Sequence, residues 1–258
     1  MLEGAMMPST IAEACRAAKF PAVALADRNN LFGAMEFSEA CRDFGVQPII
    51  GALVAVERPA PANASRSPLA RMVADWLVLL VQDKTGYDNL IGLVSDAHLA
   101  SDTADAPHLT LAGMAGRTDG LIALTAGPEG ALARLIAEEQ DANAYADALV
   151  DLFPGRLYVE ISRSGDSIEA ASEAGLLALA YARDLPLVAT NPVRFANASL
   201  HPAHDVLLCI ADGSYVDTEE RRRSNPEHWL KTAATMVARF ADLPEATANT
   251  LVVARRCA

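Results

Sequence analysis

The residues able to do chemistry in this chain gather at the ends of its β-rich runs. In parallel α/β proteins, reactive groups collect just past the carboxyl ends of strands, in the loops before the following helices. Those positions hold Asp27-Arg28-Asn29-Asn30, Glu57-Arg58, Gln82-Asp83-Lys84, Ala126-Gly127-Pro128, Ser162-Arg163-Ser164-Gly165 and Thr190-Asn191-Pro192-Val193-Arg194. Histidine is missing from all six. A metallohydrolase needs several imidazoles or carboxylates converging on each ion, so these scattered acids and arginines speak against a metal centre. His98, His108, His201, His204 and His228 fall in helices or loops away from the strand ends. His201 and His204, three residues apart, could ligate a metal together, but no third ligand lies nearby and helix-terminal histidines with satisfied hydrogen bonds are the expectation. Asp27, directly past a strand end, is either a catalytic acid or a loop former, since Asp and Asn favour turns. The Arg221-Arg222-Arg223 triplet reads as a solvated turn in preference to a phosphate site. No Gly-x-Gly-x-x-Gly, Gly-x-x-x-x-Gly-Lys-Ser/Thr or Gly-x-Ser-x-Gly occurs, which removes the common dinucleotide, nucleotide and serine-hydrolase signatures.

The elements that must position these residues are legible as alternating apolar patterns. Short β-rich runs at Ala22 to Ala26, Pro48 to Val56, Trp76 to Val81, Gly120 to Thr125, Arg156 to Ile161 and Leu185 to Ala189 predict six strands. Helical periods lie between them. Ile11 to Lys19 is opened by Thr10 with Glu13 at capping-box spacing. Ala34 to Phe44 carries an apolar stripe and ends at Gly45. Further helices are predicted over Tyr87 to Ser95, Glu129 to Ala137, Asn143 to Leu152 and Ile168 to Arg183. The strands are continuous apolar runs, the grammar of a parallel sheet covered on both faces, and an open doubly wound sheet and a closed barrel share it. Glu57 to Ser67 and Ala100 to Pro107 read as surface excursions. Residues 1–197 are thus expected to form the α/β body, and 198–258 a helical tail with helices at Leu200 to Ala211, from His228 and from Pro244.

Composition bounds what such a body can do. The 258 residues are 52% hydrophobic and 21% charged, enough for a sizeable core. A net charge of −12 disfavours gripping DNA phosphates through a basic face, so any contact with DNA is expected through other domains. The four cysteines form no Cys-x-x-Cys pair and read as buried free thiols. No secretory leader or apolar run of about 18 residues is present, so a cytoplasmic chain without a membrane partner is expected.

Several stretches together carry a family likeness. PAVALADRNNLFGAMEF (21–37), QPIIGALVAV (47–56), TGYDNLIGLVS (85–95), GLIALT (from 120), LYVEISRSG (from 157) and LPLVATNPVRF (185–195) resemble the amino-terminal PHP domain of bacterial replicative DNA polymerase III alpha subunits. AHDVLLCIADG from 203 and FADLPEATANTLVVARRC (240–257) continue the likeness to the end of the chain. The resemblance implies a distorted (β/α)7 barrel with its cleft at the strand carboxyl ends and a helical C-terminal appendix. It also implies a first strand with a His-x-His metal motif just before Met1-Leu2-Glu3-Gly4-Ala5, so the chain is expected to be a truncated piece of a longer protein; an in-frame upstream strand would support this, and an immediate stop codon would count against it.

Compared with metal-binding relatives, Asp27 matches a retained acid, Arg28 stands where they have His, and Leu53 where they have Glu. Trp76 replaces a His, Gly127 a Cys and Ser164 another His, while Pro192-Val193-Arg194 replaces a final Asp-x-His. The resemblance therefore implies a vestigial metal cleft whose two arginines pair with acids such as Asp27. No catalytic residue and no cofactor are expected in this segment, with Mg²⁺ belonging to a polymerase palm domain elsewhere. The implied role is a non-catalytic platform for the proofreading exonuclease subunit within the polymerase III holoenzyme. A metal-dependent PHP phosphoesterase or 3′–5′ exonuclease, and an error-prone polymerase paralogue, are the alternatives.

Overall fold

The computed structural model describes residues 3–58, 74–100 and 106–257. The chain begins with α1 (Pro8–Ala17), β1 (Ala22–Arg28), α2 (Ala34–Phe44), β2 (Gln47–Glu57), β3 (Ala74–Val81), α3 (Lys84–Ala100) and the short α4 (Leu111–Met114). It continues through β4 (Leu121–Leu124), α5 (Ala131–Ala137), α6 (Asn143–Leu152), β5 (Leu157–Ser162), α7 (Ser167–Ala182) and β6 (Leu187–Thr190). Three helices, α8 (His201–Asp212), α9 (Ala233–Arg239) and α10 (Pro244–Arg256), complete it. Most of the predicted 57–67 and 100–107 excursions lies outside the described residues.

All six predicted strands form, and they pair in sequence order β1 to β6 within one sheet. The sheet is mixed, which corrects the all-parallel expectation: β3 runs antiparallel to both β2 and β4, while β1–β2, β4–β5 and β5–β6 are parallel. A continuous apolar run such as Trp76 to Val81 has no direction in it, so its orientation could not be read locally. Gln82-Asp83-Lys84 consequently lies at the opposite rim from the other strand carboxyl ends, and the start of β3 takes its place.

The sheet curls into a half-barrel. Ile49, Leu80, Ile122, Leu124, Tyr158 and Val188, drawn from five strands, meet in one cluster on the concave face. The next residues along each strand turn outward to a larger core beneath α3, α5, α6 and α7, including Leu79, Ala123 and Val159 with Leu90, Leu132, Leu149 and Leu176. Ala12, Cys15, Phe37 and Cys41 form a third cluster between α1, α2 and β1. Val253 of α10 joins the concave cluster from below. Gln47 Nε2 donates to the Ala254 carbonyl at 2.9 Å, Asn249 Nδ2 to Leu187 at 2.8 Å and an Arg256 nitrogen to Gly155 at 3.0 Å, so α10 stoppers the strand amino ends. No helix among the described residues is long and apolar enough to cross a membrane.

Local signals explain most helix boundaries. Gly45 adopts φ +69° and stops α2 as its sequence predicts. The Thr10–Glu13 capping box does not form, because Pro8 already occupies the first turn and puts Thr10 inside α1. The predicted helix at Glu129 instead begins with a 3₁₀ turn, Gly127–Glu129, and α5 starts at Ala131. The helix placed from His228 starts only at Ala233, where Thr232 caps it.

Candidate functional site

Strand alternation decides which side chains enter the cleft. Arg28 shares the parity of Ala22, Leu53 that of Ile49, Trp76 that of Val78 and Leu80, and Glu160 that of Tyr158, so all four stand above the concave cluster. Register keeps them together: Arg28 lies opposite Leu53, and Leu53 opposite Val78. Antiparallel β3 brings Trp76 to this rim by its amino end.

Arg28 is the centre of a charge network. Its Nε lies 2.6 Å from Glu3 Oε2, one terminal nitrogen lies 2.5 Å from Glu129 Oε2, and its Cζ sits 4.4 Å over the Trp76 ring. Arg194 approaches Glu129 Oε1 at 3.4 Å and Glu3 Oε2 at 4.0 Å. Arg222 reaches Glu3 Oε1 at 3.2 Å while also pairing with Asp212 at 2.9 Å. Burial would raise the Glu3 carboxyl, but the hydrogen bond and charge of Arg28, with the charges of Arg194 and Arg222, hold it below its ordinary range. Glu3 itself is anchored by backbone contacts: the Ala5 N–H donates to the Arg194 carbonyl at 2.7 Å, and His204 Nε2 donates to the Glu3 carbonyl at 2.9 Å.

The arginines therefore pair with Glu3 and Glu129, and the expected pairing with Asp27 does not form. Asp27 shares the parity of Val23 and Leu25, which pack toward α2, and it makes no ion pair among the described residues. Burial raises its pKa and the charge of Arg194 partly opposes that.

The other replaced positions are spent on structure. Ser164 Oγ and Ser162 Oγ donate to Glu169 Oε1 at 2.9 and 2.7 Å, and the N–H groups of Ser164, Gly165 and Asp166 donate to Glu169 Oε2 at 2.6, 2.9 and 3.1 Å. With the Asp166 side chain accepting from Ile168, this is a capping box that closes the loop after β5 onto α7. Gly127 has φ +48°, and a Cβ there would stand 2.9 Å from Ser162 Oγ, so the site is shaped for the absence of a side chain. Pro192 offers no donor atom, and its neighbour Asn191 donates to the Trp229 carbonyl at 3.0 Å.

The histidines serve as struts. His204 Nδ1 lies 2.6 Å from Ser224 Oγ, and His201 Nε2 donates to the Ser224 carbonyl at 3.0 Å. His98, although distant from any strand end in sequence, donates to the Asn29 carbonyl just past β1 at 2.8 Å. Nor is Arg221 a solvated turn residue: it makes a two-point pair with Asp205 at 2.9 and 2.6 Å.

Sequence reasoning missed Glu3, Glu129, Glu160 and Glu169. Only Glu169 had a local signal, the Asp-x-x-Glu spacing from Asp166. Glu160 Oε1 accepts from Thr190 Oγ1 at 2.6 Å, its Oε2 is buried without a partner among the described residues, and burial pushes its pKa up.

This donor set does not fit a divalent-metal centre. Guanidinium, indole and aliphatic groups at Arg28, Arg194, Trp76 and Leu53 have no lone pair to offer a metal, and Glu3 and Glu129 are already neutralised. Among the described residues no three His, Cys, Asp or Glu side chains are grouped to hold an ion.

A curled mixed sheet of this order, with its cleft at the strand carboxyl ends, is the architecture of a PHP domain. The PHP domain model matches residues 1–164, and the chain belongs to that family. Along its whole length it is 46% identical to the DNA polymerase III subunit alpha of Caulobacter vibrioides and 32% identical to that of Escherichia coli K12. In both cases it spans only 22% of the relative's length. A solved Bifidobacterium adolescentis structure, described as a putative metal-dependent phosphoesterase, aligns with 73% of this chain and 82% of its own at 14% identity and a TM-score of 0.47.

Proposed function

We propose that this PHP domain belongs to a DNA polymerase III alpha subunit, in which it does no chemistry of its own and serves as a docking platform for the proofreading exonuclease subunit. The observation that carries this reading is the filled cleft, where Arg28, Arg194 and Arg222 neutralise Glu3 and Glu129 at the rim that would otherwise hold reactive groups. Polymerisation and its Mg²⁺ then belong to a palm domain outside these residues, DNA is met through other domains, and the protein works in the bacterial cytoplasm. The net charge of −12 supports a protein partner over nucleic acid. The LFGAMEF run at 31–37 favours the replicative over the error-prone branch.

The test mixes the purified chain with the exonuclease subunit of the same bacterium and follows both by gel filtration, alongside primer-extension and phosphate-release assays. A stable complex without primer extension is expected. Absence of a complex overturns the docking role, and phosphate release abolished by a chelator overturns the non-catalytic reading in favour of a phosphoesterase or 3′–5′ exonuclease.

A further inference from the structure

After β6 the chain leaves the barrel and returns to it through one neck. The Arg194 and Phe195 N–H groups donate to the His228 carbonyl at 2.7 and 3.3 Å, and the Leu230 N–H donates to the Phe195 carbonyl at 3.0 Å. Phe195 and Trp229 thus lie side by side in a parallel bridge. Asn225 Nδ2 donates to the Ser164 carbonyl at 3.2 Å and Glu227 pairs with Arg239 at 2.6 Å, which fastens the returning limb to the barrel just before the neck. Residues 198–224, between the two limbs, are tied chiefly to themselves. Arg221 makes its two-point pair with Asp205, the Ser224 N–H donates to Asp205 Oδ1 at 2.9 Å, and Arg222 pairs with Asp212 at 2.9 Å. With the bonds of His201 and His204 to Ser224, these fold 213–224 back onto α8 as one unit. None of its residues belongs to the three apolar clusters that hold the barrel together. The rings of His201 and His204 stand 6.2 and 5.2 Å from that of Phe195, at the neck itself. Among the described residues, the hydrogen bonds and ion pairs from this unit to the barrel all end on Glu3. Its carbonyl accepts from His204 Nε2 at 2.9 Å, and its carboxylate accepts from Arg222 at 3.2 Å.

We propose that residues 198–224 are a flap that swings about the neck at Phe195 and Trp229 and is latched to the cleft rim by Glu3. A unit that shares no part of the apolar core separates from it at lower free energy than the fold unfolds. Its own network of pairs keeps it folded as it moves. The latch is strong enough to set a resting position and weak enough to release, because the Glu3–Arg222 pair is part-exposed, at 34% and 42%. On the barrel side Glu3 is held by Arg28 at 2.6 Å and by the bond from Ala5 to the Arg194 carbonyl, so it stays behind when the flap opens. Opening withdraws Arg222 and removes one positive charge from the rim, while Arg28 and Arg194 remain. The flap thereby sets the charge that the cleft presents. The inference goes beyond the polymerase reading and uses nothing of it, so the two fail separately.

The experiment measures the distance between spin labels at Tyr215→Cys on the flap and Phe32→Cys on the barrel, both exposed positions, in the intact chain carrying Cys257→Ser; the other three cysteines are buried. A reference pair at Phe32→Cys and Leu251→Cys lies wholly on the barrel. The parent is expected to show one dominant distance for each pair. Glu3→Gln keeps the backbone carbonyl that His204 uses and should raise the population outside the dominant Tyr215 distance by about threefold or more. Arg222→Gln should do the same, and the double variant no more than the greater single, since both remove one contact. Asp212→Asn, which breaks only a pair inside the flap, should stay within about twofold of the parent. Tyr215 distances unchanged in both latch variants overturn the proposal. So does equal broadening of the reference pair, because the barrel and not the flap would then have loosened, and so do additive effects of Glu3→Gln and Arg222→Gln.

Discussion

A guanidinium can take the electrostatic place of a divalent cation but not its chemical place. At Arg28 a positive charge with several N–H donors satisfies two carboxylates at once, Glu3 at 2.6 Å and Glu129 at 2.5 Å, yet it has no vacant orbital with which to polarise a phosphoryl oxygen or acidify water. The pairs are only partly exposed, at 27% for Arg28 and 34% and 31% for its partners, so removing the cation leaves two partly desolvated carboxylates balanced by the longer contacts of Arg194 and Arg222. Arg28→Met keeps most of the aliphatic packing against Trp76 and is expected to lower unfolding free energy by about 2 kcal/mol, measured by urea denaturation at pH 7. An unchanged midpoint would mean that Arg194 and Arg222 alone balance the cluster.

Among the elements, β3 and α10 do most to define the cleft. Had β3 run parallel to its neighbours, Gln82-Asp83-Lys84 would stand at the rim and Trp76 would lie at the far end; its reversal is what gives Arg28 an aromatic floor. At the far end, α10 covers the concave cluster through Val253, which is buried among Ile49, Leu80, Ile122, Tyr158 and Val188. Val253→Asp would place an unpaired carboxylate there and is expected to destabilise the fold by about 3 kcal/mol or more, seen as a lowered thermal midpoint and faster proteolysis near 244–257. Retention of the parent midpoint would show that α10 contributes little to closing the half-barrel.

For the molecule as a whole, acid sensitivity follows from which groups burial and pairing have shifted. Burial, with the charges of Arg194, Lys231 and His204 and against that of Glu169, pushes His228 from 6.5 down to about 4. The unfolded chain takes up this proton near 6.5 while the folded one resists it, so the stabilisation is complete above that pH and is lost as pH falls toward 4. The loss amounts to about 2–3 kcal/mol. Asp205, Asp242 and Glu227, held low by Arg221, Arg163 and Arg239 respectively, withdraw their contributions as pH falls from the ordinary carboxylate range toward their lowered values. Asp27 and Glu160, raised by burial, act in the opposite sense and favour the fold on acidification. Urea midpoints at pH 7 and pH 4.5 should therefore differ in the parent and converge in His228→Gln; equal slopes in the two proteins would assign the acid limb elsewhere.

What the amino-acid sequence determined by itself was local: six strands from short apolar runs, α2 with its stop at Gly45, and a cleft rim carrying arginines and no histidine. Those features depend on neighbours within a few residues, where periodicity and backbone preference act. The direction of β3, the outward turn of Asp27 and the partners of Arg28 belong to the tertiary structure. Glu3 and Glu129 lie 25 and 101 residues from Arg28, and Arg222 lies 219 residues from Glu3, so no spacing rule links them. Opposite charges attract whichever residues the curl of the sheet brings within a few ångströms, and only that curl settled which carboxylates the cleft would receive.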